Sequence, residues 1–449
     1  VYFSLVNQSN AFVTKYDTHG NLQWAQQLGA SGSGPTYTQA FGAALDLAGN
    51  IYFTGFTDSG LHGNTQSGLW DLILAKYDAT GNLHWVEQLG ATGGALDGNA
   101  IAIDGDGNVI IAADTNVAIG GNTMTGSEDA LLLKYTGNEW TSLAGAASAI
   151  TIGYGLAMDS SNNVYISGKT TGGLGGNTCI GMQDAFLSQY SSSGAANWTV
   201  QLGAASATTA ANGTATDTSG HVYLAGVTSG GLAGNTLTGQ QDAFLSQYSS
   251  SGTANWTVQL GAASAVTAAN GTATDTSGHV YLAGVTSGGL AGNTLAGQQD
   301  AFLSQYGSSG TANWTVQLGA ASAPTAANGA ATDTSGNVYL VGSTTGARAG
   351  CKTVTGGQDR FVSKYDSSGT LQWTKQQGVA GQYSAGTALA IGSDGSVFVV
   401  GWTGSIGDII DQWLVLVSRY DASGALKWTN QFGSSNSTSK GFGISVTVS

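Results

Sequence analysis

The chain has 449 residues, of which only 8% are charged, and its 12 Lys and Arg against 26 Asp and Glu give a formal net charge of −14. Nucleic acids and anionic membrane surfaces attract clustered cations, so this balance predicts neither as a partner. No apolar run approaches the roughly 20 residues that cross a bilayer, which predicts no membrane insertion. Disorder is disfavoured because 11 Trp, 17 Tyr and 12 Phe supply material for a packed core.

In chain order, the first predicted element is a strand at Val1–Val6, and further strands follow up to position 29, around Trp24. Similar units then recur along the chain, each with one tryptophan, at spacings of 55 to 61 residues. The eight tryptophans are Trp24, Trp85, Trp140, Trp198, Trp256, Trp314, Trp373 and Trp428. Self-similarity at a nearly fixed period predicts a repeat architecture.

Each unit contains four short predicted strands separated by turn residues. Around Trp256 they are Asn212–Asp217, His221–Thr228, Asp242–Tyr248 and Asn255–Gly261. These segments alternate in period two and are bounded by Gly, Ser and Asp, which is typical of antiparallel strands. Four such strands per unit, repeated around a ring so that neighbours cover each other, predict an all-β propeller.

The two ends of the chain complement each other. The N-terminal segment 1–29 supplies three predicted strands, and Gly441–Val448 supplies one first strand. We therefore expect a single domain, 1–449, with eight four-stranded antiparallel blades. The eighth of these blades is shared by 1–29 and 441–449. A blade divided in this way closes the ring and removes exposed sheet edges.

One repeat pattern runs through the whole chain: Asp-Ala-Phe-x-x-x-Tyr, Gly-x-x-x-Trp, Gln-Leu-Gly and Ser-Gly-x-Val-Tyr. It is clearest at Asp359–Gly378, and a related segment lies at Ala44–Thr57. The pattern resembles the bacterial beta-propeller repeat family called SBBP. The resemblance implies a propeller in a secreted or surface-exposed bacterial protein. The family name implies seven blades, whereas the number of recurring tryptophans predicts eight.

Aspartates recur at two positions of the unit. The first strand ends in an aspartate that either forms an acidic ring at a channel mouth or caps backbone N–H groups in a turn: Asp46, Asp104, Asp159, Asp217, Asp275 and Asp333. A second set starts the third strand, where repetition predicts a fixed hydrogen-bonding role rather than catalysis: Asp71, Asp129, Asp184, Asp242, Asp300, Asp359 and Asp411, with Asn10 in the first unit.

One stretch of the first set is a candidate metal site. Asp104, Asp106 and Asn108 partly match a calcium-binding loop, although the distal bidentate glutamate is missing. The sequence therefore predicts no cofactor, with calcium at these residues as the alternative. Cys179 and Cys351 lie at different repeat positions and are expected to be unpaired.

The glycine-rich loops between the second and third strands are the best candidate for binding. Function concentrates in loops on a rigid scaffold, and similar loops around a ring would act multivalently. Their shared asparagine either contacts a partner or builds the turn: Asn64, Asn122, Asn177, Asn235 and Asn293.

No catalytic motif accompanies these loops, so no catalytic residue is predicted. The sequence favours a non-enzymatic scaffold, extracellular or on a bacterial cell surface, that binds a protein or glycan partner or assembles with itself. The alternative is an eight-bladed quinoprotein-like dehydrogenase or a calcium-binding propeller enzyme. It rests on Asp78–Gly81 before Trp85, which is similar to the tryptophan-docking repeat of those dehydrogenases.

Overall fold

The computed structural model describes residues 8–30, 36–135, 139–347, 353–405, 413–433 and 444. These residues form 31 strands, most of them in seven four-stranded antiparallel sheets that are the blades of a propeller. No helix among the described residues is long and apolar enough to span a bilayer.

The N-terminal strands precede the first blade. They are β1 (Gln8–Ser9), β2 (Ala11–Tyr16) and β3 (Leu22–Leu28). Blade one follows with β4 (Thr36–Leu45), β5 (Ile51–Thr57), β6 (Asp71–Tyr77) and β7 (Leu83–Leu89). Strand β1 pairs in parallel with the start of β4, while β2 and β3 form a separate two-stranded sheet, which we call the N-terminal hairpin.

The remaining blades repeat the order of blade one. Blade two has β8 (Leu96–Ile103), β9 (Val109–Thr115), β10 (Asp129–Tyr135) and β11 (Trp140–Ala144). Blade three has β12 (Thr151–Met158), β13 (Val164–Thr170), β14 (Asp184–Tyr190) and β15 (Ala196–Leu202). Blade four has β16 (Thr209–Thr216), β17 (Val222–Thr228), β18 (Asp242–Tyr248) and β19 (Ala254–Leu260).

Blades five to seven complete the set. Blade five has β20 (Thr267–Thr274), β21 (Val280–Thr286), β22 (Asp300–Tyr306) and β23 (Ala312–Leu318). Blade six has β24 (Thr325–Thr332), β25 (Val338–Thr344), β26 (Asp359–Tyr365) and β27 (Leu371–Gln377). Blade seven has β28 (Tyr383–Ile391), β29 (Val397–Gly404), β30 (Trp413–Tyr420) and β31 (Leu426–Phe432).

The prediction of eight four-stranded blades is wrong, because the structure is a seven-bladed propeller. The recurring tryptophan lies on the last strand of a unit, so it marks an outer hairpin and does not report whether the inner strands are present. Among the described residues, the unit of Trp24 contains the two-stranded N-terminal hairpin and no further strand of a blade. The strands predicted at 1–6 and 441–448 to complete it lie outside the described residues, apart from residue 444.

Within a blade, the predicted strands are largely confirmed. The third strand of blade four has the predicted bounds, whereas the first begins at Thr209, three residues before the predicted Asn212. Each first strand also contains an irregularity in its register, which in β16 lies between Ala211 and Gly213. A bulge adds local twist to a strand, as suits the crowded centre of the ring.

Neighbouring blades pack face to face, so both faces of most sheets are buried. All seven residues of β18 are buried. Phe244 and Tyr248 belong to an apolar cluster shared with blade three, whereas Ala243 and Leu245 belong to one shared with blade five. The alternation seen in the sequence therefore distinguishes one neighbouring blade from the other, and not core from solvent.

The tryptophan of each unit reaches the next unit. The indole N–H of Trp256 donates to the carbonyl of Ser308 at 2.9 Å, and its ring lies so close to Gly310 that an added Cβ would be 2.7 Å from Cδ2. Gly310 also has a φ of +79°. The same indole bond to the next unit is made by Trp24, Trp140, Trp198, Trp314, Trp373 and Trp428.

The last blade makes this contact with the N-terminal hairpin. Trp428 donates to the carbonyl of Thr18 at 3.2 Å, and Asn430 donates to the carbonyl of Gly20 at 2.8 Å. On its other side the hairpin contacts blade one, since Trp24 donates to the carbonyl of Ala79 at 3.1 Å. The hairpin thus lies between blades seven and one and connects the two ends of the ring.

Candidate binding face and polar sites

One face of the propeller carries the loops between second and third strands and the connections between blades. The two meet at a parallel bridge, where Gln241 ends a loop and Val266 precedes the first strand of the next blade. There Thr267 N–H donates to the carbonyl of Gln241 at 2.9 Å. We call this surface the loop face.

The shared asparagines of these loops bind their own blade. Nδ2 of Asn235 donates to the carbonyls of Leu232, at 2.8 Å, and Thr257, at 3.0 Å, and so ties the loop to the outermost strand. The other four do the same: Asn64, Asn122, Asn177 and Asn293. Their amides therefore build the turn, and partner contact through them stays a prediction.

The aspartates that follow the first strands cap turns. Oδ1 of Asp217 accepts the N–H groups of Ser219 and His221 at 2.9 Å each, and Oδ2 accepts the hydroxyl of Tyr223 at 3.0 Å. Burial raises the pKa of Asp217, but hydrogen bonds from His221 and Tyr223 outweigh it and lower the pKa below its ordinary value. The geometry favours the turn-capping interpretation over an acidic ring.

The candidate calcium residues are engaged with protein groups. Nζ of Lys134 lies 3.1 Å from Oδ2 of Asp104, and both side chains are buried. Asn108 donates to both carboxylate oxygens of Asp104, while Asp106 accepts the amide of Asn162 at 3.0 Å. An ammonium group already neutralises Asp104, so these residues do not fit a calcium site. Within the described ranges, no three His, Cys, Asp or Glu side chains are arranged so that they could hold a metal ion.

The aspartates that start the third strands are fully buried. Asp242 accepts the N–H groups of Thr238 at 2.8 Å and Gly239 at 2.9 Å, and the amide of Gln259 at 3.3 Å. An added Cβ on Gly261 would lie 1.8 Å from Oδ1 of Asp242. Through these contacts the carboxylate joins the loop to the last strand of its blade, which is a hydrogen-bonding role of the predicted kind. In blade seven Leu414 pairs with Thr403 at this register, and the predicted Asp411 lies outside the described residues.

Blade two contains a group of carboxylates that the repeat pattern does not predict. Asp97 and Asp114 face each other across β8 and β9, near Glu128. Burial, with the charge of Glu128, raises the pKa of Asp97 to about 6, and burial, with a hydrogen bond to Glu128, raises that of Asp114 to about 7. The available signal was a departure from the repeat, since Ala210 of blade four corresponds to Asp97.

The loop face of blades one to three also carries exposed apolar residues that the repeat pattern does not predict. Leu69 is 62% exposed and Trp70 43%, while Ile180 is 57% and Met182 64% exposed. Together with Ile150 we call these residues the apolar arc. Blade four has Gln240, Gln241 and Thr238 at the corresponding positions, so only departures from the repeat reveal the arc.

Five segments, 84–121, 139–175, 197–233, 255–291 and 313–347, match the SBBP beta-propeller repeat. No curated protein sequence matches the chain.

Solved structures with a similar chain path share little sequence with it. A streptogramin B lyase has 8% identity and a TM-score of 0.41, covering 80% of this chain and 89% of that one. The β-propeller domain of the Trilobed protease from Pyrococcus furiosus has 7% identity and a TM-score of 0.42, covering 84% of this chain and 92% of that one. A quinonprotein alcohol dehydrogenase-like protein from Bacteroides thetaiotaomicron has 11% identity and a TM-score of 0.39, covering 88% of this chain and 94% of that one. Likeness at this level carries no information about activity.

Proposed function

The chain belongs to the SBBP beta-propeller repeat family, and on that premise we propose that it is a non-enzymatic scaffold that binds a partner protein through its loop face. We place it outside the cell or on a bacterial cell surface. Its low content of charged residues and its richness in glycine support that location.

The observation that carries the proposal is the apolar arc. In blades one to five the repeated polar side chains are used in internal hydrogen bonds, as Asn235 and Asp242 illustrate. By contrast, Leu69, Trp70 and Met182 expose apolar surface on the loop face at positions where blade four carries Gln240 and Gln241. Contiguous exposed apolar surface marks interaction sites, and Trp and Met are enriched in protein interfaces.

The repeat itself supplies variants that test the arc. Leu69→Gln and Trp70→Gln, or Ile180→Thr and Met182→Gln, introduce the residues that blade four carries at those positions. We expect the fold to tolerate them, and partner binding to weaken by about 10-fold or more because buried aromatic and aliphatic anchors dominate binding energy.

The binding assay uses the purified chain against cell-envelope proteins, a glycan array and itself. Saturable binding to an envelope protein that the arc variants lose, but a Gln240→Ala control keeps, supports the proposal. Glycan binding or self-association that depends on the arc would replace the protein partner with one of those. Binding that is equal for all variants, or absent from all three assays, would remove the support for a binding scaffold.

A further inference from the structure

Two neighbouring positions on the loop face depart from the repeat in blades one and two. They are the second-last residue of the second strand and the residue before the third strand. Blades one, two and four carry the following pairs there: Phe56 and Trp70, Asp114 and Glu128, Val227 and Gln241. Blade one is therefore aromatic where blade two is acidic and blade four is uncharged.

The aromatic pair of blade one belongs to a row of three rings. The ring centroid of Trp70 lies 5.1 Å from that of Phe56, which in turn lies 5.8 Å from that of Phe41 in β4. Trp70, at the end of this row, is exposed and belongs to the apolar arc. Apolar groups and cations both pack on exposed indole faces, so the row offers contact to either.

The carboxylates of blade two form a group without a cation. Asp97 and Asp114 lie opposite each other across β8 and β9, and Asp114 shares a hydrogen bond with Glu128. All three residues are half-buried. Because β9 lies between β8 and β10, the exposed part of Asp114 belongs to its side chain. Among the described residues, no Lys, Arg or His forms an ion pair with any of the three.

The backbone places these carboxylates between two members of the apolar arc. Trp70 forms a parallel bridge with Ala95, two residues before Asp97, and Glu128 forms the corresponding bridge with Ile150. A partner surface that covers Trp70 and Ile150 would therefore also cover the carboxylates. Burying unpaired charges costs free energy, whereas a cation on the partner would offset that cost.

The other charged groups around the carboxylates already have contacts of their own. Asp58, Asp71 and Asp129, at the ends of β5, β6 and β10, accept backbone N–H groups. On the side of blade three, β12 contributes Tyr154, and Nζ of Lys169 in β13 lies 5.4 Å from the centroid of that ring. Blade three therefore places its own cation on its own aromatic ring.

We propose that this part of the loop face binds a lysine or arginine side chain of the partner protein, with apolar residues of the same partner segment on Trp70 and Ile150. Carboxylates accept charge-assisted hydrogen bonds from such a cation, and the aromatic row accepts its apolar stem. The inference rests on the proposed scaffold function and adds the chemistry of the partner.

The test is fluorescence anisotropy of a labelled short peptide of alternating leucine and lysine, titrated with the purified chain at constant ionic strength. A peptide with glutamine in place of lysine is the neutral control. The carboxylate variant introduces the residues of blade four, so we expect it to fold: Asp97→Ala, Asp114→Val and Glu128→Gln.

A second triple variant controls for net charge. It also removes three carboxylates and introduces blade-four residues, but away from the loop face: Asp78→Ser, Glu87→Val and Asp106→Ser. We expect the lysine peptide to bind this control as it binds the unmodified chain, and to bind the carboxylate variant about 10-fold more weakly.

The pH dependence of binding gives a second readout. The pKa values of Asp97 and Asp114 are raised to about 6 and about 7, so both groups lose their charge as pH falls from about 8 to about 5. Affinity for the lysine peptide should fall with that charge. A surface that binds by apolar contact alone would show the opposite trend, because protonation would make the carboxylates easier to bury.

Three results would overturn the inference. They are no saturable binding of the lysine peptide, equal binding by the two triple variants, and an affinity that rises as pH falls. An envelope protein that binds through the apolar arc, with an affinity that the carboxylate variant does not change, would refute the basic partner and leave the scaffold function standing.

Discussion

Replacing Gly261 with alanine tests whether the buried aspartates hold the blades together. Gly261 does not adopt a left-handed backbone, so the main chain itself accepts alanine. The new Cβ would lie 1.8 Å from Oδ1 of Asp242, a fully buried group, and must push the carboxylate away. Asp242 would then lose the N–H groups of Thr238 and Gly239, now at 2.8 and 2.9 Å.

The expected cost follows from those two bonds. Hydrogen bonds to charged groups contribute about 1.5–3 kcal/mol each, so we expect a loss of about 3–6 kcal/mol. Unfolding a chain of this length as one cooperative unit has an entropy of about 0.9 kcal/mol per kelvin, so Tm should fall by about 3–7 °C. Differential scanning calorimetry and urea unfolding measure the two quantities.

A matched glycine provides the control. Gly220 has a φ of +82° and open space around its missing side chain, so Gly220→Ala should cost only the backbone strain of about 1–2 kcal/mol. In an Asp242→Ala background, Gly261→Ala should cost less than about 1 kcal/mol, because the clashing carboxylate is gone. If Gly261→Ala were no more harmful than Gly220→Ala, the structural role of the aspartate would be refuted.

Three further changes probe other contacts. Asp97 and Asp114 have pKa values raised to about 6 and about 7, so the folded chain binds more protons than the unfolded one between about pH 4 and 7. The free energy of unfolding therefore falls as pH rises through this range. Asp114→Asn should flatten that pH dependence in urea unfolding, and an unchanged pH dependence would contradict the raised pKa values. Trp256→Phe removes the indole bond to the next blade and should cost about 1 kcal/mol, so an unchanged urea midpoint would argue against that bond. Because Lys134 neutralises Asp104, millimolar calcium should leave Tm unchanged, and a calcium-dependent rise that Asp104→Asn abolishes would contradict this.

The sequence predicted the strands of each blade well because local signals define them. Period-two alternation, Asx turns at residues such as Asp217 and the glycine before each tryptophan all act within one unit or between adjacent units. The number of blades could not be counted in the same way. Trp24 marks a hairpin as clearly as Trp256 marks a whole blade, because the contacts of the indole do not depend on the inner strands.

The candidate sites were harder to predict because repetition points first to side chains that the blade itself uses. Recurring side chains such as Asn235 and Asp242 are those that the blade needs for its own hydrogen bonds. The apolar arc and the carboxylates of blade two depend on single departures from the repeat, such as Trp70 and Asp97. Whether a departure is exposed or buried is decided by packing between blades, which lies beyond the reach of a local pattern.

The most direct measurement is an experimental density map of the purified chain, by crystallography or electron cryomicroscopy. The expected map has seven four-stranded blades, with the hairpin of β2 and β3 between blades seven and one and the indole of Trp428 over Gly20. A map with eight four-stranded blades, or with the hairpin away from blade seven, would contradict this architecture.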